Sequence, residues 1–113
     1  MSEERTLTYE EKMVLERIKS DLLSNIAHHQ AIVDSSSFMI VEHYQDIKHD
    51  QNRVMEWFER LDREVSMRHS NNNRDQNLEQ DFKCLSSLIA IDELRTQYNN
   101  IMKNNDIRGY VIG

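Results

Sequence analysis

This chain has no proline, and its two glycines, Gly109 and Gly113, both fall in the last five residues. Residues 1–108 therefore contain neither of the strongest breakers of regular structure. An all-β fold needs many turns with positive φ, which glycine adopts most readily. That fold class is excluded, and helices are left. Cysteine occurs once, as Cys84, so no disulfide can form within the chain, and a reducing compartment, the cytoplasm, is expected. No apolar run approaches the roughly 18 residues of a membrane span. The opening MSEERTLTYEEK has no apolar centre of the kind a secretory signal carries. Basic residues are also short, with 14 Lys and Arg against 20 Asp and Glu, a net charge of -6. The imbalance is even along the chain, with no basic arm or stripe, so direct nucleic-acid binding is disfavoured. A glycine-rich phosphate cradle is missing too.

What remains is a chain of 113 residues, enough for one domain, with 38% hydrophobic and 30% charged residues and a mean hydropathy of -0.77. Long helices with a narrow apolar seam and a wide wet face have this composition. A monomer of this size buries only about 65% of its unfolded surface. The expected fold is therefore all-α: two or three long amphipathic helices in an antiparallel bundle or coiled coil, completed by oligomerisation.

After a flexible stretch over 1–7, a first helix is expected over 8–33. Thr8 and Glu11 have capping-box spacing, and Glu10 and Glu11 suit the positive end of the helix dipole. Leu15, Ile18, Leu22, Ile26 and Val33, with His29 between the last two, share one face. The run Asp34-Ser35-Ser36-Ser37 breaks or kinks the pattern, with Asp34 as the expected N-cap and Val33 and Phe38 as a hydrophobic staple. The competing reading is one continuous helix over about 9–69, since serine tolerates a helix interior.

A second helix is expected over 35–68. Ile40, Tyr44, Ile47, Gln51, Val54, Phe58, Leu61 and Val65 follow an unbroken 4,3 spacing. This is the seam of a coiled coil or tight bundle, interrupted once by Gln51, and it is expected to be the oligomer contact. Glu56–Arg60, Glu59–Arg63 and Glu64–Arg68 are i,i+4 pairs on the outer side, in the favourable order. Trp57 sits beside Phe58 on a flank of the seam. A tryptophan there is either the edge of a three-helix core or an interface anchor. As an anchor, with Arg53 and Arg60, it forms the expected partner-binding group, since tryptophan and arginine dominate interface hot spots. Residues 69–77, HSNNNRDQN, read as a loop. A third helix is expected over 75–104, burying Leu78, Phe82, Leu85, Leu88, Ile91, Leu94, Tyr98 and Ile101, and a tail over 105–113 follows.

Candidate chemistry is sparse. His28 and His29 point about 100° apart on a helix, and His43 and His49 are six residues apart, which is not a ligand spacing. Asp46 and His49, joined by Glu42, have no counterpart on the other helices, so no metal is expected. Glu56, Glu59 and Asp62 approach the acidic spacing that holds Mg²⁺ in all-α nucleotide pyrophosphohydrolases, but the second acidic pair is missing downstream. Cys84 lies among Phe82, Leu85 and Leu88, where burial keeps a thiol protonated. No catalytic residue, cofactor or metal is expected, and the chain is expected not to be an enzyme.

The leading expectation is a module that self-associates and binds a partner protein. The alternative is a small acidic inhibitor, of the kind phages and mobile elements encode, that blocks a nucleic-acid-binding protein by presenting carboxylates like a phosphate backbone. Ten asparagines, a composition that suits an AT-rich genome, accompany that reading. A third, a sensor of a small anion, would draw on Arg60, Arg63 and Arg68.

Overall fold

The computed structural model describes residues 8–104. Within it the chain forms four helices: α1 (Tyr9–Asp34), α2 (Phe38–Ile47), α3 (Gln51–Ser70) and α4 (Gln76–Asn104). The described residues contain no strand. The expected stretches 1–7 and 105–113 lie outside the described residues.

Each helix begins and ends for a local reason. The Thr8 hydroxyl accepts from the Glu11 amide at 3.1 Å, and the Glu11 carboxylate accepts from the Thr8 amide at 3.2 Å, closing the capping box. At the serine run, the Ser35 and Ser36 hydroxyls both donate to the Ile32 carbonyl, at 3.0 and 2.6 Å, taking up an acceptor at the helix end. Ser37, with extended backbone, then accepts from the Met39 amide and starts α2. Asp34 is the last residue of α1 instead of the cap, and Phe38 is exposed, so the staple with Val33 does not form.

The expected single helix over 35–68 is corrected to two. Lys48 and Asp50 amides close a tight turn on the Tyr44 and Ile47 carbonyls, and the Asp50 carboxylate accepts from the Arg53 amide, beginning α3. Helix α3 ends in a Schellman motif: the Asn73 amide donates to the Arg68 carbonyl at 2.8 Å and the Asn72 amide to the His69 carbonyl at 3.2 Å. Asn72 takes a φ of 54°, the left-handed conformation that asparagine tolerates better than most residues. Asp75 caps α4 by accepting from the Asn77 and Leu78 amides.

Helix α4 is the common partner, packing on α1, α2 and α3, while α2 also packs on α3. Helix α1 runs antiparallel to it: Leu22 clusters with Tyr98 and Met102, His29 bonds Ser87, and Ser36 bonds Gln80. Helix α3 is also antiparallel, with Phe58 against Phe82 and His69 beside Glu79. Among the described residues two separate core clusters result. The larger gathers Val33, Tyr44, Ile47, Val54, Trp57, Leu61, Cys84, Leu85, Leu88 and Ile91 where all four helices meet. The smaller, Leu22, Tyr98 and Met102, joins α1 and α4 alone.

The stagger leaves the start of α1 overhanging. Tyr9 stands thirteen residues from Leu22, about 20 Å along the axis, whereas Asn104 lies only about 3–9 Å beyond Tyr98 and Met102. The first turns of α1 thus extend past the last described turn of α4.

Candidate functional site

The seam expected to join copies of the chain is spent inside it. Tyr44, Ile47, Val54 and Leu61 are buried in the larger cluster, Ile40, Phe58 and Val65 are half-buried, and Gln51 is exposed at the start of α3. The oligomer contact expected there is therefore corrected: these side chains meet α4 and each other. Trp57 is corrected as well. It is 7% exposed, with its ring edge-on to His43 at 4.6 Å, so it is a core residue and offers no face to a partner. Arg53 and Arg60, expected beside it, remain exposed.

Most exposed apolar side chains lie off the seam. Tyr9, Met13 and Val14 lie in the overhang of α1 with Ile18 at its edge, Val14 being 58% exposed; Phe38 and Met39 lie at the start of α2, and Met55 and Met67 stand out from α3. Ile18 was expected on the buried face and does not reach it. A helix buries a face only where another element runs alongside, and the described part of α4 stops short of Tyr9, Met13 and Val14, with Ile18, one turn before Leu22, level with its last described turn.

A cavity of about 220 Å³ opens where the α2–α3 turn meets the middle of α4, lined by Tyr44, Lys48, Val54, Ile89, Asp92 and Glu93, among others. The Tyr44 hydroxyl donates to Asp92 Oδ2 at 2.5 Å. Burial, then this hydrogen bond and the charges of Asp92 and Glu93, hold the phenol protonated far above its ordinary range. Asp92 and Glu93 were not singled out by sequence reasoning. The signal was available: two adjacent carboxylates follow Leu85–Ile91, the most apolar stretch of the chain.

Other reactive groups are structural. Cys84 is fully buried, and desolvation raises its thiol pKa, with Asp81 adding to the effect and a hydrogen bond to Ser36 opposing it. Outside the core, Arg74 holds the Glu79 carboxyl below its usual range through a 2.7 Å hydrogen bond, with His69 3.2 Å away. No three potential metal ligands converge among the described residues, so Glu42, Asp46 and His49 do not form a centre there.

The raised values of Tyr44 and Cys84 carry a sign for stability. Both groups hold their proton more tightly folded than unfolded, so their contribution is intact below the unfolded values of about 10 for the phenol and about 8.5 for the thiol. It is lost as pH rises through the folded values. Urea midpoints should therefore fall steadily from pH 8 to pH 11, and Tyr44→Phe should flatten the fall above pH 10. Equal slopes for the two proteins would remove this account.

Compared with known proteins, the chain matches no protein family, no characterised protein and no solved structure.

Proposed function

We propose that this chain is a non-enzymatic protein–protein interaction module that self-associates through the overhanging start of α1 and binds a partner protein. The observation that carries the reading is the exposure of Tyr9, Met13, Val14 and Ile18 on one short stretch of helix. Apolar residues gathered at one end of a helix are characteristic of a contact surface.

Charge supports a second copy as the occupant. Glu10 and Arg17 are seven residues apart and lie on the same side of Val14. An antiparallel pairing of two α1 helices centred near Val14 sets Glu10 of each copy against Arg17 of the other. A two-fold axis makes that contact twice, which is how self-complementary dimers close. The inhibitor reading has less behind it, because the outer side of α3 alternates Glu56, Arg60, Glu59 and Arg63 and offers no unbroken acidic face.

Light scattering across a dilution series decides the matter. A mass approaching twice 13.5 kDa at high concentration is expected, with return to 13.5 kDa on dilution. Val14→Asp should abolish the larger species with helicity unchanged. Glu10→Arg should weaken it, and adding Arg17→Glu should restore it. A chain that stays at 13.5 kDa throughout, or a dimer indifferent to Val14→Asp, would refute self-association.

A further inference from the structure

The cavity between the α2–α3 turn and α4 combines three features that suit one kind of guest. Val54, Met55 and Ile89 give it an apolar floor. Asp92, Glu93 and Lys48 line it too, leaving a net single negative charge on the lining. Among the described residues, neither carboxylate lies within ion-pair distance of a basic side chain. Its volume, about 220 Å³, is below the roughly 300–1,000 Å³ of sites that hold a drug-sized ligand, and suits one long side chain.

We propose that this cavity receives the side chain of an arginine from a protein partner, its aliphatic stem on Val54, Met55 and Ile89 and its guanidinium between Asp92 and Glu93. Tyr44 occupies one lone pair of Asp92 and fixes the plane of the carboxylate, leaving its remaining acceptor positions for donors from outside. A guanidinium presents five N–H groups in one rigid plane, enough to serve two carboxylates together, and it sheds water more readily than an ammonium. A single positive charge also neutralises the lining. The inference deepens the partner-binding half of the proposed function and rests on it.

The test is a two-dimensional amide NMR titration of the full chain with n-butylguanidinium chloride. Saturable shifts are expected at Tyr44, Met55, Ile89, Asp92 and Glu93, with half-saturation at millimolar concentration. n-Butylammonium should bind at least about threefold more weakly, and n-butanol should give no saturable response. Asp92→Asn and Glu93→Gln should each weaken the guanidinium response by about fivefold or more, while Asp62→Asn on α3 leaves it unchanged. Glu93 is exposed, so Glu93→Gln decides the question even where Asp92→Asn disturbs the fold. Shifts that fail to saturate, that n-butanol reproduces, or that persist undiminished in Glu93→Gln overturn the proposal. The titration needs neither a partner nor a dimer. A negative result beside a concentration-dependent mass sinks only the arginine site, and a positive one beside a strict monomer sinks only self-association.

Discussion

Trp57→Ala is expected to lose about 3–5 kcal/mol of stability, the range for truncating a large buried aromatic. Trp57 is buried where α2, α3 and α4 meet, with Val54 and Leu61 of its own helix and Tyr44 and Ile47 of α2 in the same cluster. Its loss leaves a void that α2, only 10 residues long, has little other packing to close. Against a total of about 5–15 kcal/mol for a domain, that is a large share. The melting temperature should fall by more than about 10 °C. Arg60→Ala, one turn away and exposed, should change stability by less than about 0.5 kcal/mol. Thermal unfolding of the two variants side by side separates a core tryptophan from an interface anchor. A Trp57→Ala protein as stable as the parent would mean that the ring is not packed as described.

Tyr98→Ala should have an effect of similar size but different reach. Tyr98 is 1% exposed and, with Leu22 and Met102, makes up the small cluster that holds α1 to α4 beyond the four-helix zone. Leu23, Leu94 and Ile101, each partly buried, pack against it. Without the ring, that two-helix end keeps little to bury, whereas Leu85 and Cys84 in the larger cluster keep all their neighbours. Amide exchange should accelerate at residues 94–104 of α4 and 15–25 of α1, with protection around Leu85 largely preserved. Self-association through the start of α1 should weaken with it, because the overhang then projects from a frayed pair. Uniform loss of protection along α4 would show one cooperative core and defeat the two-zone description.

Much of this architecture was readable from residue patterns. The capping box at Thr8 and Glu11, the break in the serine run and the asparagine loop all stand where local chemistry puts them, the first two through side chains bonding to nearby backbone and the third through an asparagine that tolerates positive φ. The second break was hidden by its own register. Ile47 and Val54 flank the turn at seven residues, so the 4,3 spacing passes through it unbroken although the chain reverses direction. The polar run from Lys48 to Arg53 was the available clue, and Gln51 was taken as a polar interruption of a seam instead. Trp57 and Phe58 both turned inward because α3 meets two neighbours, which periodicity on a single helix does not encode. The Tyr44–Asp92 bond joins residues 48 apart in sequence, and no local pattern announces such a pair.

The placement of α4 has a consequence for biosynthesis. Helices α1, α2 and α3 are all translated before α4 and all pack on it, so most of their lasting contacts must wait for residues 76–104 to clear the ribosome. At about 5–20 residues per second, α4 itself takes on the order of one to six seconds to make. During that interval the faces of α1 and α3 that end up against it are open to capture, by a chaperone or by a neighbouring copy on the same messenger RNA.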